Sequence, residues 1–178
     1  QLGDMPDLQS ADFEAAMNAT RRYVHEEQFR IGTRSLADPV MATAHGEDYT
    51  RLADSAIIAL YRATMAEMQS QYGSLPEADM LVLGLGKLGS GEMTLQSDLD
   101  LIFICDCADF EAVSDGPKPL DAPRWFARAA RLLVSALSAP TAEGGLFEVD
   151  TRLRPSGNAG ALVTRISSFA AYQKTQAW

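Results

Sequence analysis

The apolar positions of this chain fall first into two long helical stripes and then into short strand-like runs separated by turn residues. After a polar, turn-rich start (Gln1 to Ser10), the spacing predicts a helix. Ser10 is its expected cap, Phe13, Met17, Val24 and Phe29 its apolar positions, and Gly32 its stop. Ser35 to His45 reads as a connection broken by Pro39. Gly46 to Tyr72 is the longest periodic segment. Tyr49, Leu52, Ala53, Ala56, Ile57, Leu60, Tyr61, Thr64, Met65 and Met68 trace one face of it, and Gly73 with Pro76 closes it.

The period then shortens. Met80 to Leu85 is an apolar run, followed by a turn carrying Gly84, Gly86, Gly89 and Gly91, and by a second run from Leu99 to Cys105. Cys107 to Pro123 is acidic and turn-rich, an expected exposed loop. Asp121 is placed to cap a helix through Ser138, whose buried face is Trp125, Phe126, Ala129, Leu132, Leu133, Ala136 and Leu137; Arg124, Arg128 and Arg131 fall on the solvated side. Beyond Pro140 and Gly144-Gly145, Leu146 to Leu153 alternates as a strand should. Pro155 to Gly160 reads as a turn, Leu162 to Thr164 as a short strand, and Ser167 to Trp178 as the start of a helix. The expected class is α+β, with a mixed sheet preceded by a helical segment.

Composition narrows the function. The net charge of −9 argues against a nucleic-acid binder, whose affinity comes from Lys and Arg on phosphates. A local nucleotide site on an acidic body is not excluded. Cys105 and Cys107 are too close for an ordinary disulfide and too few for a zinc cage, so free thiols in a reducing compartment are expected. No apolar run reaches the roughly 18 residues of a membrane span, and no signal peptide is visible. A chain starting at Gln1 and stopping at Trp178 in a helical pattern is expected to be part of something longer.

Gly84-Leu85-Gly86-Lys87-Leu88-Gly89 matches the dinucleotide-binding pattern, but two physical arguments reject that reading. The segment Lys87 to Ser97 is too short and too polar for a helix that covers a parallel sheet and returns. The next strand also opens Asp98-Leu99-Asp100, and a strand buried on both faces should not place two acids on one side. Nor is it a P-loop, because no Ser or Thr follows Lys87.

The acids carry the chemistry. Strand alternation puts Asp98 and Asp100 on one face, and Asp150 lies mid-strand on another run. Three converging carboxylates repel unless a cation neutralises them, and Mg²⁺ is the hard, oxygen-seeking ion that shares carboxylates with substrate phosphates. A plainer reading makes Asp98 a strand-start cap and pairs Asp150 with Arg152 or Arg154. Those arginines also suit phosphate binding, and Glu148 is a weaker candidate ligand.

Gly89-Ser90, Asp98-Leu99-Asp100 and the later Asp150 together resemble the signature of the DNA polymerase β nucleotidyltransferase superfamily. Longer strings are more specific: GKLGSGEM from Gly86, SDLDL from Ser97, EVDTRLRPSG from Glu148, and Tyr172-Gln173-Lys174 to Ala177-Trp178 resemble glutamine synthetase adenylyltransferase, over about Phe13 to Trp178. The resemblance implies a large bifunctional cytoplasmic enzyme with two related nucleotidyltransferase domains. One transfers AMP from ATP to a tyrosine of glutamine synthetase and the other removes it by phosphorolysis, under control of the PII signalling protein and glutamine. The EVDTRLRPSGNAGALVT and YQKTQAW strings resemble the C-terminal, adenylylating half.

Carried onto this chain, the resemblance implies a helical segment at 1–76 packed on a nucleotidyltransferase core at 77–178. Asp98, Asp100 and Asp150 would bind Mg²⁺ and serve catalysis. Gly89 and Ser90 would hold the triphosphate, with Lys87, Ser97, Arg152 and Arg154 as further nucleotide contacts. The alternatives are the removing activity and a catalytically silent module of the same fold. A nucleic-acid or membrane partner is not expected.

Overall fold

The structure, a computed structural model, describes residues 12–37 and 42–176, with backbone alone at 42–44. Helix α1 spans Phe13–Ala37 and α2 spans Ala42–Tyr72. The expected Ser10 cap, the break at Pro39 and the Ala177-Trp178 ending lie outside the described residues. Asp12 instead caps α1, its Oδ1 accepting the Ala15 N–H at 2.7 Å.

Helix α1 runs through Gly32 rather than stopping there. An interior glycine costs about 1 kcal/mol, which packing along α2 outweighs. The stripe that α1 buries is Ala16, Thr20, Arg21, Tyr23, Val24, Glu27 and Ile31. Phe29, expected on that face, is 72% exposed. It stands five residues after Val24, well off the line joining Val24 to Ile31, so the geometry of the helix overrides its hydrophobicity.

Helix α2 buries Leu52, Ala53, Ala56, Ile57, Leu60, Thr64 and Met68, as its pattern predicts. It starts at least four residues before Gly46. At its far end the Gly73 N–H donates to the Gln69 carbonyl. The Tyr61 hydroxyl donates to the Met80 carbonyl at 2.6 Å and ties α2 to the sheet.

Strands β1 (Ala78–Gly84), β2 (Leu99–Cys107), β3 (Val149–Asp150) and β4 (Val163–Arg165) form a small mixed sheet. Strand β2 is central. Along one edge it pairs antiparallel with β1, and along the other it pairs parallel with β3 near its start and with β4 further on. The antiparallel β1–β2 pairing removes the dinucleotide-binding topology outright, since that requires a parallel crossover. Between the two strands there is only the single-turn helix α3, Gly86–Ser90. Helix α4 spans Ala122–Ser138, capped by Asp121 through the Arg124 N–H at 2.9 Å, and α5 spans Ile166–Thr175.

One core joins α2, the sheet and α4, with Leu60, Met68, Leu101, Phe103, Phe126 and Leu133 at its centre. Each such side chain contributes on the order of 1.5–3 kcal/mol by leaving water. A second cluster (Tyr23, Val24, Ile31, Leu52 and Ala56) joins α1 to α2. The 108–121 segment is pinned at its middle to the end of α2: Asp115 Oδ1 accepts the Ser74 N–H at 2.8 Å, and the Gly116 N–H donates to the Tyr72 carbonyl. Both cysteines are free thiols. No described helix is long and apolar enough to cross a membrane.

Candidate metal centre

The site forms where β2 begins. The Leu85 N–H donates to the Asp100 carbonyl at 2.9 Å, which folds the turn after β1 back onto the first residues of β2. Gly86 follows with a φ of +53°, and a Cβ there would stand 2.2 Å from Asp100 Oδ2. Only glycine allows both this backbone conformation and the carboxylate lying against it. Gly89 has a related role: a Cβ would come 2.9 Å from the Gly84 carbonyl oxygen, so the tight return of α3 onto β1 needs its absence.

The third acid arrives on β3. The Leu99 N–H donates to the Glu148 carbonyl at 2.8 Å, and the parallel register sets Asp150 opposite Asp100. Register partners share a face. Asp98, one residue ahead of β2, joins them, and one carboxylate oxygen from each of Asp98, Asp100 and Asp150 lies within 4.8 Å of the others. Among the described residues this is the single group of three or more metal-ligating side chains so arranged.

The electrostatics divide the three. Burial, then the charges of Asp98 and Asp150, push the Asp100 carboxyl above its ordinary range, with Arg152 opposing. Asp150 moves the other way, because the Arg152 side chain and backbone both hydrogen-bond it. Arg152 Nε donates to Oδ1 at 3.0 Å and to Oδ2 at 2.8 Å, and its N–H reaches Oδ1 at 2.8 Å. The plainer sequence reading of Asp150 as an arginine partner is therefore realised alongside the cluster. All-oxygen donors at one point, Asp98 exposed and Asp100 and Asp150 half-buried, mutually repelling, fit a hard divalent cation such as Mg²⁺.

The expected nucleotide contacts are distributed unevenly. Lys87 and Ser90 are exposed on α3, and the Ser90 hydroxyl donates to Glu92 Oε2 at 2.9 Å. Arg152 is 71% exposed on its side-chain surface even while it holds Asp150. Ser97 is buried; its Oγ accepts the Thr94 N–H at 2.9 Å and contacts the Thr94 hydroxyl, closing the turn before Asp98. Arg154 Nη1 donates to the carbonyl and hydroxyl of Thr151, and its Nε reaches the Gly160 carbonyl at 3.4 Å, so it braces the loop after β3. That bracing, with the Asp150–Arg152 contact, ends the strand after two residues where the alternation of Leu146 to Leu153 predicts eight. Glu148 is exposed and contributes its carbonyl to the site's framework.

Two residues outside the sequence reading stand out in the structure. Gly86 looks like one more turn glycine until Asp100 is seen against it. Arg21 has a signal: it is a charged residue standing at a core position of the α1 stripe.

A sequence model described as glutamate-ammonia ligase adenylyltransferase matches residues 6–178. Relatives named bifunctional glutamine synthetase adenylyltransferase/adenylyl-removing enzyme include one from Rhizobium meliloti (strain 1021), 46% identical over 93% of this chain. One from Xanthobacter autotrophicus is 43% identical over 96% of it. One from Brucella melitensis biotype 1 is 41% identical over 95% of it. The chain spans 17–18% of the length of these relatives. With a family match that runs from residue 6 to residue 178, this chain belongs to the glutamate-ammonia ligase adenylyltransferase family.

Proposed function

We propose that this chain is a nucleotidyltransferase domain of the DNA polymerase β type that transfers AMP from ATP to a tyrosine hydroxyl of glutamine synthetase. The helical segment at 1–76 packs on a catalytic core at 77–178. The observation that supports this most directly is the convergence of Asp98, Asp100 and Asp150 from two strands in register. The names of the relatives support the substrate. The RLRPSG and YQKTQAW strings favour the adenylylating direction. On this reading the full-length enzyme is cytoplasmic and answers to PII and glutamine.

Asp98, Asp100 and Asp150 would hold Mg²⁺, which when bound supplies charge neutralisation at the phosphates and at the attacking oxygen. The chain's own residues do the rest. Gly89 and Ser90 would border the triphosphate, and the Ser90 hydroxyl would exchange its present acceptor, Glu92, for a phosphate oxygen. Lys87 on the same short helix and Arg152 at Asp150 are the exposed cationic candidates for phosphate contact, while Ser97 closes the turn before Asp98 and Arg154 braces the loop after β3. The tyrosine oxygen attacks the α-phosphorus, the bond to the pyrophosphate oxygen breaks, and Asp150 takes the hydroxyl proton. Arg152 keeps Asp150 ionised, and the same hydrogen bonds lower its basicity, so the Arg152 contact must loosen as Asp150 takes the proton.

Asp98→Asn and Asp100→Asn are each expected to lower labelled-AMP transfer to glutamine synthetase on the order of 10²–10³-fold or more, with the far-ultraviolet circular dichroism unchanged. Full activity in either variant rejects the assignment. Incubation of AMP-modified glutamine synthetase with phosphate tests the opposite direction: ADP release would identify the removing activity. Absence of both, with no Mg²⁺-dependent ATP binding, would identify a silent module.

A further inference from the structure

We infer that Arg21, on α1 and outside the proposed catalytic core, is a positioning residue that sets where Asp150 sits. The inference rests on the metal-site reading above. Arg21 is fully buried and has no carboxylate partner among the described hydrogen bonds and ion pairs. Its guanidinium is spent on backbone carbonyls. Nη1 donates to Met17 at 3.0 Å, Nη2 to Ala136 at 2.9 Å and to Ala139 at 2.5 Å, and Nε to Gly144 at 3.1 Å.

The acceptors outside α1 have a reason to need it. Ala136 and Ala139 offer the carbonyls left over at the C-terminal end of α4, where positive charge is favoured. Gly144 belongs to the segment that leads into β3. The Phe147 N–H then donates to the Leu137 carbonyl at 3.1 Å, in the same last turn of α4. One buried cation thus joins α1, the end of α4 and the approach to Asp150.

The approach matters because β3 has only two residues. A strand that short specifies its own register weakly, and a slip of one residue would turn Asp150 to the other face. Its position along β2 is therefore set by what holds the chain before and after it. After it, Arg154 braces the loop. Before it, backbone bonds hold Phe147 to Leu137 and Glu148 to Leu99, and the side-chain anchors are Arg21 on Gly144 and the neighbouring His25, whose Nε2 lies 2.9 Å from the Gly145 carbonyl. Lysine keeps the charge but cannot span four carbonyls from one plane.

The test is Mn²⁺ binding by paramagnetic resonance in the full-length enzyme and in its Arg21→Lys variant, with Arg22→Ala as control. Arg22 holds the same loop only through an exposed ion pair with Glu143. Arg21→Lys is expected to weaken Mn²⁺ binding to this site about tenfold. It should raise the metal concentration for half-maximal AMP transfer in step, while the rate at saturating metal stays within about threefold of wild type. Arg22→Ala should bind as wild type does. Amide exchange at Leu99 and Phe147 is expected to quicken in Arg21→Lys, while the β1–β2 ladder stays protected; this reads the folded population even if overall stability falls. Unchanged metal affinity, or faster exchange spread evenly over the sheet, overturns the inference. If Asp100→Asn leaves the wild-type Mn²⁺ signal intact, the metal-site reading itself falls and this inference with it.

Discussion

At the scale of single residues, the site is organised by repulsion and its relief. Asp100 is half-buried against Gly86 with two other carboxylates facing it, so its ionisation opposes folding when no cation is bound. Its carboxyl is raised by burial and by its neighbours. The stability it withholds at neutral pH therefore returns as the pH falls through its folded-state value, and is fully present below the unfolded-state value. Asp150 has the opposite sign. Arg152 holds it low, so its contribution is present above the unfolded-state value and is lost as the pH falls through the folded-state value. Asp100→Asn is accordingly expected to stabilise the metal-free chain by about 1 kcal/mol at pH 7, measured by urea unfolding, while it removes activity. A destabilised variant would show that Asp100 is held by contacts other than the acids around it. Gly86→Ala is the converse case. It strains a positive φ and drives a methyl into the Asp100 carboxylate, and about 1–3 kcal/mol of destabilisation is expected, together with weakened metal binding.

At the scale of elements, α2, α4 and the short strand β4 follow their sequence patterns closely, and β3 does not. The faces of α2 and α4 can be read from spacing because a helix repeats locally and each buried side chain is independent of distant partners. The Asp121 cap of α4 is legible for the same reason. Asp121→Ala is expected to cost about 1 kcal/mol in thermal or denaturant unfolding with no change in metal affinity. By contrast, the alternation of Leu146 to Leu153 promises a full strand, yet β3 ends at Asp150. The Asp150 carboxylate takes the Arg152 main-chain N–H and the Arg152 side chain, and the Arg154 side chain takes the Thr151 carbonyl, so the ladder stops at Asp150. Phe29 and Gly32 show the limit of single-residue signals in α1, where the pairing with α2 decides both the length of the helix and its buried face.

At the scale of the whole molecule, the helical segment and the sheet share one apolar cluster. Met68 and Leu60 of α2 are fully buried in the same core as Phe103 of β2 and Phe126 of α4. Leu60→Ala is expected to lower stability by about 2–5 kcal/mol and to do so through a single transition seen alike by circular dichroism and by tryptophan fluorescence. Trp125 is a reporter at that junction, with its indole N–H donating to the Gly73 carbonyl at 3.0 Å. Two separated transitions would mean that the segment at 1–76 folds apart from the rest.

The sequence by itself determined most of the elements and the family to which the chain belongs. Asp98 and Asp100 two residues apart, the glycine turn ahead of them and the family strings around Asp150 are local patterns, and local patterns survive in one dimension. It also excluded the dinucleotide reading, because chain length between two strands limits what can connect them. Only the tertiary structure decided that Asp150 stands in register with Asp100, that Gly86 makes room for the carboxylate, and that Ser97 and Arg154 face into their own loops. It alone shows that Arg21, more than a hundred residues before Asp150, grips the approach to it. The physical reason is the same in each case. Register, close approach and the satisfaction of a buried charge depend on partners far away in the chain, and no periodicity records where those partners will be.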